Sequence, residues 1–129
     1  RKRKRLMSQS IKKNAEKFGF VAWSNGGYIA LIATSKQEMI TEGKNNCNCV
    51  GRMDYDRKMA DGKSIICFVR KEDEPEKSFI TCEISTDGFN IIQFYGRNNS
   101  LVPEMDEWKT NWQKYIKREV KKYEKLHSV

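Results

Sequence analysis

No stretch of this sequence approaches the ~20 consecutive apolar residues needed to cross a bilayer, so no membrane-spanning helix is expected. Basic residues Arg1 to Arg5 are not followed by an apolar stretch and do not read as a secretory leader. Only one histidine, His127, is present, and it lies far from Cys47-Asn48-Cys49. A Cys-x-Cys pair without nearby histidines makes a poor zinc site, so no metal is expected. The glycine-rich nucleotide loop, the Gly-x-Ser-x-Gly elbow and the zinc-protease helix are all missing. No motif names a cofactor. Internal repeats and low-complexity tracts are absent too. Apolar residues make up 38%, less than in most globular domains, so the core should be modest.

What is there fits one domain of 129 residues, long enough for a real core. The missing initiator Met and the basic opening read as a piece of a longer protein. The net charge is +8, and it is unevenly spread. Residues 1–17 hold eight basic residues against Glu16 alone, while the rest of the chain is nearly balanced. Residues 1–17 therefore read as a basic arm or helix, and 18–129 as a single domain. Such an arm, through Arg1, Lys2, Arg3, Lys4, Arg5, Lys12 and Lys13, suits phosphates of nucleic acid or an acidic protein. The bland alternative is a solvated helix start. Cys67 and Cys82 sit in apolar strand-like runs as small hydrophobes. Four cysteines so placed indicate a reduced, cytoplasmic protein rather than a disulfide framework.

The pattern predicts an α+β fold. Ser8 to Lys17 reads as a helix stopped by Gly19. Phe20–Trp23 and Tyr28–Ala33 read as a hairpin around Ser24-Asn25-Gly26-Gly27. Ser35 and Glu38 form a capping box for a short helix from Lys36 to Glu42, with Gly43 as its end. A second short helix is expected from Met53 to Ala60. Runs at 64–70, 78–85 and 89–95 are rich in Ile, Phe and Val and predict an antiparallel meander. A long helix over 104–126 carries Trp108, Trp112, Ile116 and Val120 at helical spacing. That stripe suits a core face on the sheet better than a dimer surface.

Several middle-third residues carry a resemblance: Cys49-Val50-Gly51, Tyr55, Gly62-Lys63-Ser64-Ile65-Ile66, Arg70, Pro75, Thr81-x-Glu83 and Gln93-x-Tyr95-Gly96-x-Asn98-Asn99. In this order and spacing the chain resembles the PcfJ-like family over roughly residues 36–103. The resemblance implies a protein encoded by a conjugative plasmid, phage or related mobile element. It implies no particular reaction. The family pattern has a histidine before Cys-Val-Gly, where this chain has Asn48.

The same residues have a physical reading of their own. Thr86-Asp87-Gly88 suits a three-residue hairpin loop with Gly in the left-handed region. That register sets Glu83 opposite Ile91 and Thr81 opposite Gln93. One face then carries Thr81, Glu83, Gln93 and Tyr95, and the other Ile80, Cys82, Ile84, Ile92 and Phe94. A two-residue loop would instead press Glu83 among apolar side chains, which is costly. Arg70 could pair with Glu83, and the Gly96-Arg97-Asn98-Asn99 loop could offer backbone amides to an anion. Thr81, Gln93, Tyr95, Asn98 and Asn99 are thus candidate ligand-binding residues. Glu83, Cys49 and Arg70 are the candidates for catalysis, Cys49 because a helix N-terminus just beyond it would favour its thiolate. The plain alternatives are a solvated sheet face, an ordinary Glu–Arg ion pair and a packed cysteine. Two functions follow: an accessory binding module, or an enzyme of unknown reaction.

Overall fold

The computed structural model describes residues 2–127 except Met53. The fold is α+β, as the sequence predicts. In chain order it runs α1 (Lys2–Lys17), β1 (Trp23–Asn25), β2 (Tyr28–Ile32), α2 (Lys36–Asn46), α3 (Tyr55–Ala60), β3 (Ser64–Lys71), β4 (Ile80–Ser85), β5 (Asn90–Tyr95) and α4 (Asp106–His127). The N-terminal hairpin and the meander are one antiparallel sheet of order β1-β2-β3-β4-β5, because β2 pairs with β3.

Differences from the sequence reading have local causes. Gly19–Val21 is a 3-10 turn, so the first strand begins only at Trp23. The Gly26-Gly27 turn places both residues at positive φ, +61° and +87°, and joins Asn25 directly to Tyr28. The basic helix starts at Lys2 rather than Ser8, since Lys and Arg are good helix formers. Met53, the expected first residue of α3, lies outside the described residues. Gly43 does not end α2, which runs on to Asn46 and stops at Cys47 in the left-handed region. Glycine at 43 serves close packing instead. A Cβ there would stand 3.2 Å from the Asn48 carbonyl and the Gly51 amide.

The two faces of the sheet are packed by different helices. One face meets α4. Ile65, Cys67, Val69, Ile80, Cys82, Ile84 and Phe94 form a core there with Trp108, Trp112, Ile116 and Val120. The aromatic stripe of α4 is therefore a core face. Its indoles are satisfied by backbone carbonyls: Trp108 donates to Asn25 and Trp112 to Val21, each at 2.8 Å. Ile11 and Ala15 of α1, Met39 of α2 and Met59 of α3 build a second cluster with Ile66 and Phe68 on the opposite face. In that layer α2 and α3 come from the long β2–β3 connection, and α1 precedes the sheet. Asn14 fixes α1 to α3 by donating to the Met59 and Ala60 carbonyls.

One buried ion pair anchors α2. Glu42, 2% exposed, receives Arg70 in a bidentate pair at 2.8 and 2.6 Å, and also accepts from Ser78 Oγ at 2.9 Å. Arg70 Nε donates to the Pro75 carbonyl. Arg70 does not pair with Glu83. It lies four residues along β3 from Ile66, the position opposite Glu83, at Val69's end of the strand, where α2 presents Glu42.

Removing one member of this pair strands a buried charge. Arg70→Met should cost about 3–5 kcal/mol in urea unfolding, and adding Glu42→Leu should return most of it. Gly51→Ala should also destabilise, by about 1–3 kcal/mol, since its Cβ would lie 2.6 Å from the Ile40 Cα. The thiols give a third test. Burial pushes both Cys67 and Cys82 above the ordinary thiol value of 9.0. The unfolded chain loses these protons near that value, whereas the folded chain keeps them to higher pH. Their contribution to stability is therefore complete below pH 9.0 and declines above it. Iodoacetamide on the native chain should modify the accessible Cys47 and Cys49 and spare Cys67 and Cys82, as read by mass spectrometry.

Candidate functional site

The polar face is built by register. Thr81 pairs with Tyr95 and Glu83 with Gln93, so all four share one side of β4–β5. The pairing differs from the expected Glu83–Ile91 and Thr81–Gln93 by two residues. Two features produce the shift. Ser85 pairs with Asn90, so the connection is Thr86 to Phe89, with Gly88 and Phe89 both at positive φ. A β-bulge then intervenes between the Glu83–Gln93 and Ile84–Ile91 pairs, leaving Ile92 extra. A net shift of two keeps Thr81, Glu83, Gln93 and Tyr95 together on their predicted side. Ile92, expected in the core, is displaced by the bulge and is 52% exposed, while Ile91 packs against the core in its place.

This face is covered rather than solvated. The end of α2 and the loop after it lower two amides onto Thr81: Asn46 Nδ2 donates at 3.2 Å and Asn48 Nδ2 at 3.0 Å. Asn48 Oδ1 meanwhile accepts from the Val50 amide, holding the Cys49 turn in shape. Tyr55, at the start of α3, meets Gln93: the Gln93 amide donates to the phenol oxygen at 3.1 Å. From β3, Ser64 donates to Glu83 Oε2 at 2.6 Å, and Lys58 Nζ stands 3.8 Å from the same oxygen. Glu83 is 3% exposed.

These side chains enclose a crevice of about 20 Å³. Cys49, Thr81, Glu83, Gln93, Tyr95 and Asn99 reach it, with Asn48 and Tyr55 beside them. Six of the eight candidate ligand-binding and catalytic residues thus converge. Arg70 is held by Glu42 outside the crevice. Asn98 is exposed in the 3-10 turn Arg97–Asn99, with φ +57°. Gly96 spends its amide on the Ser100 carbonyl at 2.8 Å, closing that loop on itself. No histidine borders the crevice among the described residues; His127 sits on α4 with Nδ1 2.8 Å from the Tyr123 carbonyl. Among the described residues no three of His, Cys, Asp and Glu cluster as a metal set. No helix there is long and apolar enough to cross a membrane.

The sequence reading missed Glu42, Asn46, Lys58 and Ser64. One signal was available. Met39, Glu42, Gly43 and Asn46 fall at helical spacing on one face of α2, so a carboxylate and an amide share its buried stripe. Ser64 and Lys58 had no such mark. Lys2, Arg3, Lys4, Arg5, Lys12 and Lys13 are all exposed along α1. Among the described residues no ion pair joins any of them to a carboxylate. Arg1 lies outside the described residues.

The uncharacterized protein Lin1253/Lin1744 of Listeria innocua serovar 6a is 29% identical over 114 residues. That similarity covers 88% of this chain and 25% of the relative, so the chain spans about a quarter of that protein's length. No solved structure matches the chain. The family model for the PcfJ-like protein matches residues 1–108, from the basic helix to the first buried indole of α4. The match takes in the polar face, the Cys49 turn and the Arg70–Pro75 link alike, and the chain belongs to the PcfJ-like protein family.

Proposed function

We propose that this chain is an accessory binding domain of a mobile genetic element, working in the cytoplasm. Its basic α1 holds nucleic acid, and its crevice takes a polar ligand through Thr81, Gln93, Tyr95 and Asn99. Asn98 is exposed on the turn that carries Asn99. In this reading residues 1–17 form the arm and 18–129 the domain, with Ile11 and Ala15 docking the arm.

The observation that carries the nucleic-acid reading is where the charge lies. A helix dipole favours acids in the first turn and disfavours cations there. The first turn of α1 has no acid, and Lys2 to Arg5 are all basic. The helix itself gains nothing from this arrangement, so an external anion is its natural counterpart. Phosphates of a nucleic acid meet that need, and an acidic protein surface is the other candidate partner.

The test is fluorescence anisotropy of labelled DNA and RNA oligonucleotides between about 50 and 200 mM salt. Affinity should fall steeply with salt. Replacing Lys2, Arg3, Lys4 and Arg5 together by Gln should flatten the log–log slope by about 3 to 4, near 0.9 per lost phosphate contact. An unchanged slope would remove the arm from the proposal.

A second reading, an enzyme of unknown reaction, is favoured by Cys49 and Glu83 reaching the same crevice. Glu83 would act as base on the Cys49 thiol, and Arg70 would act only by holding α2. Alkylation of Cys49 should then be several-fold faster than that of Cys47, and Glu83→Gln should abolish the difference. Equal rates for the two thiols in the native chain would end this reading.

A further inference from the structure

Glu83 is almost fully buried, yet only one of its oxygens is engaged. Ser64 donates to Oε2, and Lys58 approaches that same atom. No side chain among the described residues donates to Oε1. Every fully buried side-chain nitrogen or oxygen among them has a hydrogen-bond partner, so Oε1 is not sealed in. It opens onto the crevice that Glu83 lines. A carboxylate oxygen so placed has left bulk water and still needs a donor.

The neighbours narrow the choice of donor. The Asn46 and Asn48 amides each donate to Thr81, and Gln93 and Tyr55 engage one another. That leaves Glu83 Oε1 as the charged acceptor of a crevice that Tyr55 and Tyr95 also line. Carboxylate and ring faces both attract a cationic N–H group and repel an anion. A volume of about 20 Å³ has room for a water-sized group such as an ammonium head. Lys58 already imitates such a group. Its Nζ lies 5.0 Å from the centre of the Tyr55 ring and 3.8 Å from Glu83, on a side chain 47% exposed.

We infer that the crevice binds a primary ammonium group, which hydrogen-bonds Glu83 Oε1 between Tyr55 and Tyr95 while Lys58 competes for the same carboxylate. The inference rests on the reading of the crevice as a ligand site and names the ligand's class. It does not depend on the arm.

Methylammonium chloride is the probe, with sodium chloride and tetramethylammonium chloride at equal ionic strength as controls. Side-chain amide resonances of Gln93 and Asn48 in the intact chain report binding. Methylammonium should shift them saturably, and neither control should. Glu83→Gln should lose the saturable shift while keeping a folded spectrum. Lys58→Met should bind about two- to fivefold more tightly, the size of a half-exposed ion pair. The chain with Lys2, Arg3, Lys4 and Arg5 replaced should bind methylammonium as the natural chain does, separating this result from any failure of nucleic-acid binding. A response no different from sodium chloride would mean a crevice for water only and would overturn the inference. Retained binding in Glu83→Gln would do the same. Should Glu83→Gln fail to fold, Lys58→Met decides alone, and unchanged or weaker binding overturns the inference.

Discussion

The bidentate contact between Arg70 and Glu42 sets the position of everything on the polar side of the sheet. It joins the middle of α2 to the end of β3, and Ser78 and the Pro75 carbonyl extend it into the β3–β4 connection. Because helix α2 is rigid, fixing Glu42 also fixes Asn46 one turn later, and with it the Asn48 and Cys49 turn. A fork-shaped guanidinium does this better than a lysine, since two parallel hydrogen bonds set orientation as well as distance. Desolvating both charges is expensive, so the pair is a poor source of net stability. Its value is positional. An apolar pair of the same volume would let α2 slide along the sheet, and the amides above Thr81 would lose their register.

The sheet therefore has two unlike faces for a reason. The α4 face is filled by branched aliphatic and indole side chains, each N–H met by a carbonyl, and it supplies most of the apolar burial. The other face mixes an apolar patch around Ile66 and Phe68 with a polar patch around Glu83. Polar groups at that depth are tolerable only when paired. Thr81, Gln93 and Asn48 pair with one another or with Tyr55 and Asn46, so the network is rigid. Glu83 is the member left with capacity to spare. A preorganised shell around one underused acceptor is the arrangement expected of a binding site built for a small group.

Much of this was legible in the sequence. Apolar runs rich in Ile, Phe and Val mark β3, β4 and β5, and the indole spacing marks α4, because burial leaves its imprint in the sequence. The side of the sheet on which Glu83 and Gln93 lie was legible too, though the pairing was not. The bulge at Ile92 and the longer turn each change register by a local choice that apolar patterning does not encode. Arg70 was assigned the wrong partner since strand neighbours are easier to see than a carboxylate on a crossing helix. Glycine misled at Gly43, where absence of a side chain serves contact with Gly51 and not helix termination. The β1 boundary slipped because Phe20 and Val21 are apolar for packing under a 3-10 turn, with no strand there.

Position 48 shows how the family pattern and the physics fit together. Where the pattern has histidine, this chain has Asn48, whose Nδ2 donates to Thr81 and whose Oδ1 accepts from the Val50 amide. A neutral imidazole also offers one donor and one acceptor, on opposite sides of its ring. Both residue types can therefore bridge the β4 hydroxyl and the turn that carries Cys49. What asparagine removes is the titratable proton. Asn48 makes the bridge over Thr81 without one, so the architecture around Glu83 rests on hydrogen-bond complementarity at position 48.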